Sequence, residues 1–156
     1  MQIVEATQPV ETEVARRLFR AYAASLPFSL DYQNFDAELA GLPAPYSPPR
    51  GGILLAMRDA TAVGVLGLKP LTSDIAEIKR LYVLPEARAA GIGRALLARA
   101  LREAVRRGHR RVRLDSHRAS MGAAIALYRQ FGFVEIPPYG PNPGEAFAFF
   151  EKKLRG

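Results

Sequence analysis

The chain has 156 residues, 49% hydrophobic and 24% charged, enough for one domain spanning residues 1–156 with a sizeable core. It contains no cysteine, which excludes disulfides, thiolate metal sites and a cysteine nucleophile. The net charge of +7 is carried mainly by arginine and suits an anionic ligand, a nucleic acid or a solvated surface; no apolar run approaches the roughly 20 residues that span a bilayer. The start, Met1 to Thr7, lacks a basic region followed by an apolar core, so no secretory signal is expected and the cytoplasm is the default location. Gln2 to Ala6 reads as a short strand. From Glu11, residues Val14, Leu18, Phe19 and Tyr22 recur at helical spacing as far as Ser25. A second helix is expected over Tyr32 to Ala40, with Gly41 as its stop, followed by an ordered proline-rich loop from Pro43 to Gly52. Ile53–Met57 and Ala62–Leu68 form a hairpin pattern, and Ile75–Val83 extends the meander. A helix over Gly93–Arg107 ends at Gly108, and Val112–Asp115 is a strand. Ser120 can cap a helix that runs to Phe131 and closes at Gly132. Phe133–Ile136 and Ala146–Lys153 complete the chain, separated by the loop Pro137–Gly144.

The order β-α-α-β-β-β-α-β-α-β-β predicts an α/β (α+β) fold. Its sheet is mixed and mostly antiparallel, of about seven twisted strands, with helices on both faces. Parallel pairing is expected where the crossover helix joins Ile75–Val83 to Val112–Asp115.

The most telling stretch is Arg88-Ala89-Ala90-Gly91-Ile92-Gly93-Arg94, set between a strand and a helix. A helix start exposes amide N–H groups without intrahelical partners and carries partial positive charge, so it can hold phosphate. The arginines add permanent charge. The competing reading is a simple glycine corner with solvated arginines. A P-loop would need a lysine after the glycines, and none is present. A Rossmann fingerprint would need a third glycine where Leu96 stands, although Asp115 lies where a ribose-binding acid belongs.

Several features together resemble the GNAT superfamily of N-acetyltransferases. Arg88-x-x-Gly91-x-Gly93 matches the family's pyrophosphate motif, and Leu81-Tyr82-Val83-Leu84-Pro85 matches the strand before it. Ala124 to Phe133 looks like the second cofactor segment. The resemblance implies acetyl-CoA as co-substrate, with no metal. The backbone of Leu81, Tyr82 and Val83 would pair with the pantetheine arm. The amides of Ala89, Ala90, Gly91, Ile92, Gly93 and Arg94, beside Arg88, would hold the pyrophosphate. It further implies direct attack by an amine of a small molecule or peptide, a backbone N–H near Val83 at the oxyanion, and Tyr128 protonating the departing thiolate. Helical spacing with Ala124 and Phe131 equally allows Tyr128 simply to pack.

Glu77 lies with Lys79 and Arg80 in a central strand, where unpaired charge is costly. Either these groups pair across the sheet, or Glu77 lines an open cleft and serves as base or substrate contact. Met121 stands where many members carry a cofactor-binding asparagine. His109 and His117 are expected to be exposed and to form no metal site. Acidic and aromatic residues over Pro27–Gly41 (Asp31, Tyr32, Phe35, Asp36, Glu38) and around Tyr139 suit a cationic acceptor or a solvated helix. A homodimer could form through the sheet edge or Phe147–Phe150. Two other functions remain open: an acyl-CoA-binding regulatory domain without turnover, and a nucleic-acid module around Arg106–Arg113. The latter lacks the interleaved aromatics of a stacking platform.

Overall fold

In the computed structural model, residues 1–140 and 144–155 are described; Pro141, Asn142 and Pro143 of the late loop lie outside them. The strands are β1 Gln2–Glu5, β2 Gly52–Arg58, β3 Thr61–Pro70, β4 Ile75–Val83, β5 Arg111–His117, β6 Val134–Ile136 and β7 Phe147–Lys153. The helices are α1 Pro9–Ser25, α2 Phe35–Gly41, α3 Ile92–Arg106 and α4 Gly122–Gln130. One sheet runs β1-β2-β3-β4-β5-β7-β6, antiparallel except at β4–β5, as the order of elements predicts.

Local chemistry moves several boundaries. Helix α1 begins at Pro9 rather than Glu11, because Glu11 accepts the Thr7 and Gln8 amides at 3.0 and 2.9 Å and closes the first turn. The expected second helix is split. A 3-10 turn over Asp31–Gln33 leads into left-handed Asn34 (φ 55°), and α2 starts only at Phe35. Gly41 is not a left-handed stop; Leu42 turns extended ahead of Pro43, where a helical conformation is disfavoured. Ser120 does not cap α4: the helix starts after Met121, and the Ser120 hydroxyl bonds His117 Nδ1 at 2.7 Å.

Each face of the sheet carries its own core. Leu96, Leu97, Ala100 and Ala104 of α3 pack with Leu66, Ile78, Val112 and Phe150. On the other face, Ala15, Leu18 and Phe19 of α1 and Phe35 and Leu39 of α2 cover Ile53, Leu55 and Val65. The proline-rich loop is pinned by Tyr46, which is 1% exposed and lies flat over Gly67, where a side chain would come within 2.6 Å of its ring.

Two surface expectations are corrected. His109 is buried, with its ring nitrogens held by the Arg50 side chain and carbonyl at 3.0 and 2.9 Å. His117 ends β5 and is half-buried rather than exposed. In β7, an interior strand, Ala148, Phe149 and Phe150 are buried and Phe147 is half-buried. The Arg106–Arg113 group is largely structural. Arg107 is buried against Glu103 and Glu5 at 3.0 and 2.7 Å. Burial of Glu103 would raise its pKa, but hydrogen bonds from Arg106, Arg99 and Arg107 prevail and hold it at about 2. Among the described residues no helix is long and apolar enough to cross a membrane.

Candidate active site

The site begins where two parallel strands part. β4 and β5 pair only at Ile75–Arg111, Ala76–Val112 and Glu77–Arg113. Beyond Glu77 they separate, leaving the edge of β4 from Lys79 to Val83 unpaired toward β5. A bulge sets the divergence: Arg80 has φ 63°, and the register with β3 shifts between Val65 and Gly67. A non-glycine residue held left-handed inside a sheet is strained, and such strain needs strong tertiary support.

That support is a buried ion pair. The Arg80 guanidinium grips Glu38 of α2 through Nε–Oε2 at 3.1 Å and Nη2–Oε1 at 2.9 Å, and donates to Gln33 at 2.6 Å. It also lies over the Phe35 ring at 5.0 Å. Tyr46 donates to the same carboxylate at 2.7 Å. Burial alone would raise the Glu38 pKa; the Arg80 hydrogen bond and charge lower it overall, so the carboxylate stays ionised.

After β4 the chain makes a 3-10 turn, Pro85–Ala87, and enters the glycine loop. Ala89 (φ 66°) and Gly91 (φ 75°) are both left-handed, a geometry that turns successive amides toward one concavity. The amides of Ala89, Ala90, Gly91, Ile92, Gly93 and Arg94 make no hydrogen bond among the described residues. No atom lies within 4 Å of where a Gly91 side chain would begin, so the concavity is open. Arg88 folds back to the Val83 carbonyl at 3.0 Å and lies over the Tyr82 ring at 5.6 Å. Arg94 reaches Gln130 at the end of α4 and Phe131 just beyond it.

A cavity of about 640 Å³ links this loop, the free edge of β4 and the start of α4 to the side where the sequence leads us to expect an acceptor, formed by α1, the segment before α2 and the ends of β5 and β7. Tyr128 lies in its wall. The side chain is buried against Phe133 and Phe150, but the hydroxyl has no hydrogen-bond partner among the described residues. Among the described residues no fully enclosed side-chain polar atom lacks a partner, so this hydroxyl is not sealed in the core and lies at the cavity that Tyr128 lines. Burial pushes the phenol pKa up, keeping it protonated at neutral pH.

Glu77 does not line the cavity. It is 5% exposed, accepts the Tyr139 hydroxyl at 2.7 Å and lies 3.6 Å from Lys69. Its expected partner, Lys79, faces Asp115 at 3.8 Å instead. The carboxylate in the cavity wall is therefore Asp115, whose pKa is raised by burial despite the nearby charge of Lys79. Spacing marks Asp115 only as the ribose-binding acid of a Rossmann unit, not for this position, two residues before the end of a strand that parts from its partner. Of the acceptor residues expected from sequence, Tyr32 lines the cavity, whereas Phe35 and Glu38 lie beneath Arg80 and Asp31 and Asp36 are exposed. Met121 also lines the cavity, its sulfur accepting the Ser116 hydroxyl at 3.1 Å and the His117 amide at 3.2 Å.

Residues 13–133 match the acetyltransferase (GNAT) family. An uncharacterized N-acetyltransferase of Schizosaccharomyces pombe is 33% identical over 138 residues, covering 86% of this chain and 83% of that protein. A crystal structure of a GNAT-family acetyltransferase from Staphylococcus aureus superposes with a TM-score of 0.80 at 20% identity over 99% of both chains. A protein of Salmonella typhimurium solved with its cofactor acetyl-CoA superposes at 0.71, with 20% identity over 100% of this chain and 95% of that one.

Proposed function

The chain belongs to the acetyltransferase (GNAT) family, and on that premise we propose that it moves the acetyl group of acetyl-CoA to a primary amine within one ternary complex. The observation that carries this reading is the run of partnerless amides from Ala89 to Arg94, opening into the cavity that separates β4 from β5. An anionic diphosphate satisfies those donors at a positive helix end. The open edge of Leu81–Val83 provides main-chain groups for an extended amide-containing arm, which would lie there as an added strand. Acetyl-CoA supplies the activated acyl thioester.

The remaining chemistry falls to side chains in the cavity wall. Asp115 takes the proton that an ammonium must shed before it can attack, and passes it to water. The amine nitrogen then bonds to the acyl carbon as the carbon–sulfur bond breaks. A backbone N–H near Val83 stabilises the charge on the carbonyl oxygen. Tyr128 gives its proton to the departing sulfur, and the amine's second proton restores the phenol. Glu77, read from sequence as base, substrate contact or structural pair, is assigned here to bracing β4 through Tyr139 and Lys69. The test is calorimetric titration with acetyl-CoA combined with thiol release across a panel of primary amines. Binding with amine-dependent release supports the reading. Binding without release from any amine indicates a regulatory acyl-CoA-binding domain, and absence of binding ends the assignment.

A further inference from the structure

Four rings meet at the acceptor side of the cavity. Phe28 follows α1, Tyr32 precedes α2, His117 ends β5 and Phe147 begins β7. Phe28 lies 4.8 Å from His117 and 5.0 Å from Phe147, His117 lies 5.1 Å from Phe147, and Tyr32 lies 6.0 Å from Phe147. All four line the cavity and all are only half-buried. The aromatic contacts are edge-on or tilted, which leaves ring surface facing the open space. An apolar ligand would complete that burial.

Asp115 stands on the same face of β5 as His117, two residues earlier and therefore about 7 Å along the strand. Its contact with Lys79, at 3.8 Å, is too long for a hydrogen bond and leaves the carboxylate oxygens able to accept from a ligand. The other acids of this face are already engaged. Glu38 holds Arg80 and Tyr46, and Glu77 holds Tyr139 with Lys69 nearby. Among the described residues, a cationic amine entering the cavity therefore has one carboxylate to meet, with a wall of rings a short distance beyond it.

Resting on the transferase reading above, we propose that the acceptor is a small primary amine carrying an aromatic ring on a short alkyl linker. The ammonium lies at Asp115 and the ring against Phe28, His117 and Phe147. A peptide acceptor fits this wall poorly, because backbone amides set against Phe28 and Phe147 would find no hydrogen-bond partner there, and the His117 Nδ1 is already taken by Ser120.

The experiment compares 2-phenylethylamine, n-butylamine and an alanine-terminated peptide as acceptors of the wild-type protein, with acetyl-CoA binding measured separately by calorimetry. Phenylethylamine should exceed butylamine in kcat/KM by about thirtyfold, the worth of burying one ring. Phe147→Ala should reduce that preference by about tenfold, acting through KM. Saturation-transfer NMR on the wild-type protein supplies a readout that needs neither turnover nor a variant: the ring protons of phenylethylamine should be saturated more strongly than its methylenes. Equal rates for butylamine, faster acetylation of the peptide, or ring protons without saturation would overturn the acceptor assignment while acetyl-CoA still binds. Loss of acetyl-CoA binding itself would instead bring down the transferase reading, and this proposal with it.

Discussion

Arg80 and Glu38 are separated by 42 positions in the chain, yet they form a two-point hydrogen-bonded ion pair beneath the cavity. Arg80 is at the strained bulge that opens β4 from β5, and Glu38 is on the short helix α2, directly after the cavity-lining Tyr32 and Gln33. The pair thus ties the free edge of β4 to the segment that lines the opposite side of the cavity. Removing one partner leaves the other charge buried, which costs more than the intact pair contributes. Glu38→Gln should destabilise the fold by about 3 kcal/mol, read as a lower urea midpoint. An unmoved midpoint would show that Arg80 and the bulge are held by other contacts.

Gly91 has φ +75° with open space beyond it. The harm from Gly91→Val therefore comes from a β-branched residue forced left-handed, and from its side chain projecting into the concavity where phosphate would lie, rather than from a clash with protein. Acetyl-CoA affinity should fall at least about tenfold by calorimetry. Undiminished affinity would count against the amide cradle.

Tyr128→Phe removes a hydroxyl that has no partner among the described residues, so stability should change by less than about 0.5 kcal/mol. Turnover should drop by about a hundredfold while acetyl-CoA affinity holds. Unchanged turnover in a normally folded variant would leave Tyr128 a packing residue.

The two carboxylates give opposite expectations in a pH profile. A general base works deprotonated, so the rate should rise as pH climbs through its pKa. Burial sets that of Asp115 above the usual carboxylate value of 3.8. Asp115→Asn should lower kcat/KM by at least about a hundredfold and abolish this acid limb. Glu77→Gln should keep the limb and weaken only the Tyr139 contact. If Glu77→Gln erases the limb instead, Glu77 regains the role of base.

The glycine loop, the order of elements and the parallel β4–β5 pairing were legible because each follows from nearby residues. Periodicity, glycine punctuation and helix-end chemistry act over a few positions, and the Arg88–Arg94 motif forms one continuous turn whose amides are unpaired by virtue of being a helix start. The acceptor side had no such local signature. Glu77 and Asp115 are both acidic residues on sheet strands, and nothing within either strand distinguishes them. What separates them is Tyr139, which covers one from 62 positions away, and the parting of β4 from β5, which exposes the other. Arg80 likewise reads as one charge in a charged strand until Glu38 arrives from another element. Ion pairing, burial and ring contacts depend on which segments meet in space, so the choice of carboxylate and the aromatic wall emerged with the packed chain.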